Sequence, residues 1–293
     1  MAAVIVLGAA LTPNWGKQIR QLSKKQILGQ TTTYNGDVAA APELAAIADK
    51  PTLTARSVLA YDVTSGSVLF SQDFDKEVPV ASLTKIVSAL VIIDSGKLNN
   101  TVTIEEDDIK VIGPNTGLVV GEKILVSELM KSMLIASHND ATRTLARYIG
   151  GTIPNFVDMM NRKAAALGMK NTHFTDPIGL DFLDHYSTAL DLSLAVNQFI
   201  KNDLLNGIVK MKEANVKSVD GAFVHNVKTT NKLLLEDPTV VGLKTGYTNE
   251  AKGNLVIHSI KDKANVIIIV LGSDDREGDA RKILDWMWTV YKW

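Results

Sequence analysis

Ser82 and Lys85 stand three positions apart at the start of a long apolar stretch. Residues spaced in this way lie on one face of a helix. A serine hydroxyl becomes a strong nucleophile when a nearby base takes its proton, and a lysine can be that base only when its pKa is lowered. The spacing therefore predicts an activated serine at a helix start, where free N–H groups can stabilise an oxyanion. The competing interpretation is a helix-capping serine beside a solvated lysine.

A second polar pair, Ser137 and Asn139, follows an apolar helix pattern that ends near residue 136. A hydroxyl and an amide two positions apart, just past a helix end, can both face one cleft. The serine could pass a proton to a leaving amine, while the amide could orient Lys85 and hold a substrate carbonyl. The structural alternative is that Asn139 or Asp140 caps the next helix.

A third group, Lys244, Thr245 and Gly246, stands at the end of a strand-like run. On an edge strand beside a cleft, the lysine would supply positive charge and the threonine a hydroxyl for a substrate carboxylate. The glycine would leave room for a substrate backbone to approach closely. An ordinary strand-to-turn transition has the same composition.

The elements that must position these residues change type along the chain. Two short strand patterns, 57–61 and 68–70, predict a hairpin around turn residues 62–66. Three more strand patterns follow in the last third, and the final one is apolar enough for a central strand. These three patterns cover residues 240–243, 254–260 and 266–271.

Helical periodicity fills the middle of the chain and its end. Ser127 and Ser187 are expected as N-caps, and Gly96 and Gly168 as helix stops. The sequence thus predicts an α/β fold of the α+β type, with an antiparallel sheet flanked by helices and an all-helical lobe beside a cleft. The first expected helix begins at residue 82, and the others cover 127–136, 140–149, 154–167, 188–201 and 277–291.

The three motifs, taken in order, resemble those of the penicillin-recognising serine enzymes, which are the penicillin-binding proteins and serine β-lactamases. The chain is most similar to the low-molecular-mass D-alanyl-D-alanine carboxypeptidases, over about residues 55–291. The resemblance implies a β-lactamase/transpeptidase-like fold. His138 and Tyr247 depart from the family pattern, which more often has a small residue and a histidine there, and both could alter substrate preference or rate. The stretches that carry the closer likeness are 81–86, 127–129, 137–141, 165–181 and 242–248.

The resemblance implies a catalytic role for four side chains. Ser82 would attack the carbonyl between two D-alanines, and its backbone N–H would form half of an oxyanion hole. Neutral Lys85 would take the serine proton, with Lys244 helping to lower its pKa. Ser137 would pass a proton to the departing D-alanine, and Asn139 would position Lys85 and the substrate amide.

The resemblance also implies a substrate-binding group. Lys244 and Thr245 would bind the terminal carboxylate, Gly246 would admit the substrate backbone, and the N–H of Tyr247 would complete the oxyanion hole. Arg276 follows the expected central strand and could reach the same carboxylate, although a surface arginine at the start of the last helix fits equally well.

The composition of the 293-residue chain narrows the function classes. Its 31 Lys and Arg nearly balance its 32 Asp and Glu, which does not favour a nucleic-acid partner. The absence of cysteine excludes disulfides, thiolate nucleophiles and Cys-ligated zinc. The five histidines show no metal-ligand spacing, so we expect neither a metal nor another cofactor.

The N-terminal segment 1–29 resembles a signal or anchor. Its apolar run 2–11 is too short to span a bilayer, and its basic residues follow the run rather than precede it. We therefore expect the true start of this segment upstream of Met1, and the alternative is a buried strand or a tail. Residues 30–54 read as a linker and 55–293 as the catalytic domain. The expected location is extracytoplasmic, in the periplasm or on the outer face of the cytoplasmic membrane, with the protein either secreted or anchored through its N-terminus.

The resulting functional prediction is a serine-type D-Ala-D-Ala carboxypeptidase that acts on peptidoglycan stem peptides through an acyl-enzyme and is acylated by β-lactams. A D-alanyl endopeptidase shares all three motifs. A β-lactamase is the other enzymatic alternative, but its deacylating glutamate in an E-x-x-L-N-like setting is not found in residues 140–240. A penicillin-sensing or wall-binding module is the non-enzymatic alternative.

Overall fold

The computed structural model describes residues 40–181 and 183–293. Its strands are β1 Glu43–Leu44, β2 Ser57–Asp62, β3 Val68–Gln72, β4 Thr101–Thr103, β5 Lys123–Leu125, β6 Glu213–Lys217, β7 Val224–Lys228, β8 Val240–Thr248, β9 Lys252–Lys261, β10 Ala264–Ser273 and β11 Tyr291–Lys292. Its helices are α1 Thr84–Asp94, α2 Glu106–Ile109, α3 Val126–Ile135, α4 Asn139–Gly150, α5 Ile153–Leu167, α6 Ala189–Ile200, α7 Asp203–Val209, α8 Lys232–Glu236 and α9 Arg276–Val290.

A five-stranded antiparallel sheet organises the fold, with strand order β3-β2-β10-β9-β8. The predicted hairpin is confirmed as the β2–β3 pair. The apolar run 266–271 lies in β10, the middle strand, as its composition predicted. The third polar motif, residues 244–246, lies on β8, which is an edge strand of the sheet, and its side chains therefore lie beside the helices.

Side chains alternate between the two faces of the sheet along each strand, and other elements cover both faces. Leu59 and Tyr61 of β2 face a large core shared with α1 and α3–α7. Val58 and Ala60 face the opposite way, into a second core closed by α9. The predicted α+β architecture, an antiparallel sheet flanked by helices, is confirmed.

Helix α1 is the central helix, since its side chains from Thr84 to Ile92 are all buried. It is preceded by a single 3-10 turn, Ala81–Leu83, so Ser82 lies just before the α-helix and not within it. Gly168 ends α5 in the left-handed conformation at φ +81°, as predicted.

Both predicted serine N-caps are wrong. Strand β5 runs directly into α3, so Ser127 already lies inside that helix. The N-cap of α3 is Leu125, whose side chain makes no capping hydrogen bond. The backbone of Ser187 pairs with Val78 instead, and Thr188 caps α6 by accepting from the Asp191 N–H at 2.9 Å.

Several elements were missed because they are short or pair over long distances. They include the β4–β5 and β6–β7 ladders and helices α2, α7 and α8. Part of the predicted linker is attached to the domain: β1 pairs with β11, and Thr54 donates its N–H and hydroxyl to the buried Asp279 carboxylate. The divisions proposed at residues 29 and 54 stay predictions, and the segment 1–29 lies outside the described residues. Within the described ranges, no helix combines the length and the apolar character that crossing a bilayer requires.

Candidate active site

Ser82 sits on the 3-10 turn that leads into α1. The turn is tight, because the N–H of Leu83 donates to the carbonyl of Val80 at 3.1 Å and Ala81 has a positive φ of 47°. The serine itself is half-buried, whereas Ala81 and Leu83 on either side of it are buried. The backbone therefore presents one partly exposed hydroxyl at the end of a buried helix.

Lys85 Nζ lies 2.8 Å from Ser82 Oγ, and the lysine is completely buried. Its other partners are two carbonyl oxygens, Asn139 Oδ1 at 2.9 Å and that of Ile178 at 3.0 Å. Carbonyl oxygens only accept, so a neutral amine would give both of its hydrogens to them. Its lone pair would then face the serine hydroxyl, which is the arrangement that proton removal from Ser82 needs.

Burial is the main reason why the pKa of Lys85 is lowered from 10.5 to about 7, and the Asp176 carboxylate opposes this shift. Lys244 lies close enough to Lys85 for the two charges to repel each other: burial, Lys85 and Arg276 together lower the pKa of Lys244. Such repulsion acts on both partners, and the expectation that Lys244 helps to lower the pKa of Lys85 stays a prediction.

The second motif occupies the turn between α3 and α4. Ser137 is buried and adopts a left-handed backbone at φ +62°. Asn139 is the first residue of α4 and does not cap it, because its amide is used elsewhere. Its Oδ1 accepts from Lys85, and its Nδ2 donates to the carbonyl of Ile112 at 2.7 Å. Asn139 thus ties the lysine to the loop before β5.

His138, the unusual middle residue of this motif, turns one ring nitrogen toward α3. Its Nδ1 lies 2.9 Å from Ser132 Oγ. Burial lowers the pKa of His138, Asp140 opposes the shift, and the positive charges of Lys85 and Lys244 reinforce it. The second and third motifs therefore lie within electrostatic reach of each other.

Gly246 brings the third motif directly against the first. A Cβ at this position would lie 2.9 Å from the Ser82 nitrogen and 3.1 Å from the Ala81 Cβ. The sequence suggested that this glycine makes room for a substrate backbone. The room is used by the chain itself, because β8 packs against the serine turn.

The remaining residues of this motif differ in exposure. Lys244 and Thr245 are buried, with Lys244 Nζ donating to the carbonyl of Thr245 at 3.0 Å and the Thr245 hydroxyl contacting that of Thr230. Tyr247, the next residue along β8, is 63% exposed. Arg276 begins α9, and its Nη1 donates to the carbonyl of Gly246 at 2.8 Å. Arg276 therefore starts the helix and contacts the third motif, and its predicted contact with a substrate carboxylate stays a prediction.

A loop outside the three motifs completes the surroundings of Lys85. Asp176 Oδ1 accepts the N–H groups of Ile178 at 2.8 Å and Gly179 at 2.7 Å, which turns the Ile178 carbonyl toward the lysine. The segment 165–181 carried part of the family likeness, and this was the available signal. A backbone carbonyl has no signature of its own in the sequence.

Comparisons with known proteins identify the family of this chain. The sequence model of the family described as D-alanyl-D-alanine carboxypeptidase matches residues 44–275. D-alanyl-D-alanine carboxypeptidase DacF of Bacillus subtilis is 33% identical over 81% of this chain, and the chain spans 63% of that protein's length. A D-alanyl-D-alanine endopeptidase of Pseudomonas aeruginosa is 32% identical over 86% of this chain and 83% of its own length.

Among solved structures, the crystal structure of the Streptomyces K15 DD-transpeptidase has a TM-score of 0.78 and 30% identity to this chain. The likeness covers 83% of this chain and all of that one. The overall fold of this chain is therefore shared with that DD-transpeptidase.

Proposed function

The chain belongs to the D-alanyl-D-alanine carboxypeptidase family, and from that premise we propose that it removes the terminal D-alanine from peptidoglycan stem peptides. The reaction is an acyl transfer through an ester on Ser82. The observation that carries the proposal is the 2.8 Å contact between Ser82 Oγ and the amine of Lys85, a buried lysine whose pKa is about 7. Such a lysine is half neutral near physiological pH and can accept a proton.

Acylation begins when Ser82 Oγ attacks the carbonyl between the two D-alanines and its proton moves to Lys85 Nζ. The proton then passes through the Ser137 hydroxyl to the nitrogen of the departing D-alanine, which leaves as the amine. The hydrogen bond from Lys85 to Asn139 keeps the amine in place throughout. In deacylation, Lys85 takes a proton from the attacking water and gives it to Ser82 Oγ as the ester bond breaks, which restores the serine hydroxyl and the neutral amine.

The developing oxyanion lies between the backbone N–H groups of Ser82 and Tyr247. Lys244 and Thr245 bind the substrate's terminal carboxylate, and Arg276 adds positive charge next to Gly246, whose carbonyl accepts from its guanidinium. This assignment is supported by the close packing of β8 on the serine turn, which holds the two N–H-bearing segments side by side.

A fluorescent penicillin tests the nucleophile, because its β-lactam ring opens to form a covalent ester with the attacking serine. Wild-type protein is expected to carry the label after denaturation, and Ser82→Ala is expected to carry none. Ser95→Ala is a matched control at the opposite end of α1, where the Ser95 hydroxyl donates to the carbonyl of Ile92, and it should label normally. Equal labelling of wild type and Ser82→Ala would disprove the assignment.

A D-alanyl endopeptidase is the second candidate, favoured by the similarity to the Pseudomonas enzyme of that name over 83% of its length. The two activities share the acyl-enzyme and differ in the leaving group. Mass spectrometry of digested muropeptides separates them: loss of one alanine from a pentapeptide indicates carboxypeptidase activity, whereas conversion of cross-linked dimers to monomers indicates endopeptidase activity.

The proposed substrate determines the proposed location. Peptidoglycan stems lie outside the cytoplasmic membrane, so an extracytoplasmic site of action follows, with attachment through the apolar segment 2–11. Fractionation of cells that produce the full chain, followed by penicillin labelling of each fraction, tests this location. Labelling confined to the cytoplasmic fraction would contradict it.

A further inference from the structure

The residue before the proposed nucleophile has a backbone conformation that requires support. Ala81 has φ +47°, in the left-handed region that residues with a Cβ seldom occupy. Such a conformation persists only when its surroundings hold it. The direction in which the backbone leaves Ala81 decides where the next residue, Ser82, presents its hydroxyl and its N–H.

The carbonyl of Ala81 is held by Thr84, which follows it by one turn. The Thr84 hydroxyl donates to this carbonyl at 2.8 Å and also lies 2.8 Å from Nε2 of His185. A hydroxyl has a single hydrogen, and the carbonyl can only accept it. The hydroxyl is therefore the acceptor toward the histidine, so Nε2 of His185 carries the hydrogen.

The other ring nitrogen of His185 is also assigned. Nδ1 lies 3.2 Å from the backbone N–H of Thr175, which can only donate, so Nδ1 is the acceptor. The imidazole is consequently the neutral Nε2–H tautomer. Burial agrees with this, because it lowers the pKa of His185 to about 4. The ring is 4% exposed and packs edge-on against Phe174.

The segment that carries His185 also closes over the serine turn. Gly179 has φ +92°, and a Cβ there would lie 2.0 Å from the Ala81 oxygen. Further along, the backbone of Ser187 pairs with Val78, three residues before Ala81. This segment therefore contacts Ala81 of the turn and the chain just before the turn, and His185 contacts Thr84 through its side chain.

We propose that His185 is a positioning residue for the acylation reaction. Its Nε2–H fixes the Thr84 hydroxyl, which holds the Ala81 carbonyl and thereby aims Ser82 at Lys85 and at the substrate. The proposal rests on the proposed function, since it concerns the reactivity of Ser82. It does not involve any contact between His185 and the substrate.

The test uses substitutions that retain or remove single hydrogen-bonding groups. His185→Gln places an amide N–H near the position of Nε2, whereas His185→Asn places one near Nδ1 and leaves Thr84 without its donor. Thr84→Ser keeps the hydroxyl, and Thr84→Val removes it from a side chain of the same shape. The readout is the second-order rate constant of acylation by a fluorescent penicillin, divided by the folded fraction from circular dichroism.

We expect His185→Asn and Thr84→Val to acylate about 10- to 100-fold more slowly, as a misdirected nucleophile does. His185→Gln and Thr84→Ser should remain close to wild type. The double variant His185→Asn/Thr84→Val should be no slower than Thr84→Val, because both changes remove the same bond.

Wild-type rates per folded molecule in Thr84→Val or in His185→Asn would overturn the positioning role while leaving the proposed function intact. If His185→Asn does not fold, the Thr84 pair decides the question by itself, since valine preserves the buried shape. Failure of the wild-type protein to form any adduct would instead overturn the proposed function, and this proposal with it.

Discussion

The pH dependence of acylation tests the central chemical claim, that neutral Lys85 is the base. Its pKa is about 7, lowered from 10.5 mainly by burial. A base accepts a proton only in its neutral form, which accumulates as the pH rises through the pKa. About one tenth of the molecules have neutral Lys85 at pH 6 and about nine tenths at pH 8. The acylation rate constant should therefore rise about tenfold between these two pH values and level off above pH 8.

The assay is stopped-flow acylation by a fluorescent penicillin under second-order conditions, from pH 5.5 to 9. Lys85→Arg is the matched variant, because arginine keeps the positive charge but does not lose its proton in this range. We expect it to acylate about 10²- to 10⁴-fold more slowly at every pH, the usual contribution of a general base. A wild-type profile that is flat or falls between pH 6 and 8 would refute the reasoning, and so would an active Lys85→Arg variant.

The same pKa shift has a consequence for stability. The folded-state pKa lies below the unfolded value, so between about pH 7 and 10.5 the unfolded chain binds a proton that the folded chain does not. The contribution of Lys85 to the free energy of unfolding therefore rises with pH in this window, by up to about 1.4 kcal/mol per pH unit. Urea denaturation of wild type and Lys85→Met should show this slope difference. If the free energies of unfolding of the two proteins change equally with pH, Lys85 is less buried than the structure shows.

Three further predictions concern packing and hydrogen bonding. Gly246→Ala should slow penicillin acylation at least tenfold, because its new Cβ would lie 2.9 Å from the Ser82 nitrogen. Its control is Gly207→Ala in α7, whose new Cβ would meet nothing within 4 Å. The control should leave the acylation rate unchanged and raise the free energy of unfolding by about 1 kcal/mol. Asn139→Leu should reduce the rate of penicillin acylation about 100-fold, because it removes an acceptor of Lys85 and the hydrogen bond to the Ile112 carbonyl. A rate within threefold of wild type would contradict this prediction. Asp279→Ala should lower the free energy of unfolding by about 3 kcal/mol, measured by urea denaturation, since several buried donors lose their acceptor; the exposed Asp285→Ala is its control.

Local patterns were sufficient for much of the fold. The run 266–271 is uniformly apolar, so it predicted a strand covered on both faces, and β10 is the middle of the sheet. The stretch after Lys85 is apolar all round, so it predicted a central helix, and α1 is buried along its length. The predicted caps at Ser127 and Ser187 failed for a common reason: capping depends on where the preceding chain enters the helix, and a distant strand pairing decided that.

The candidate site divides in a similar way. Side chains with distinctive chemistry at fixed spacing, such as Ser82, Lys85 and Asn139, could be selected from the sequence. The carbonyl of Ile178 and the close approach at Gly246 could not, because the first is a backbone group and the second depends on two segments more than 160 positions apart in a 293-residue chain.

The amino-acid sequence by itself determined the long apolar helices and strands and the polar groups that are available for acyl transfer. Only the tertiary structure decided that the amine of Lys85 can be a base. An isolated lysine keeps a pKa near 10.5, and nothing within the Ser-Leu-Thr-Lys motif changes it. The shift to about 7 arises because the amine is buried where α4 and the loop of Asp176 meet the start of α1, and these segments meet only in the folded chain.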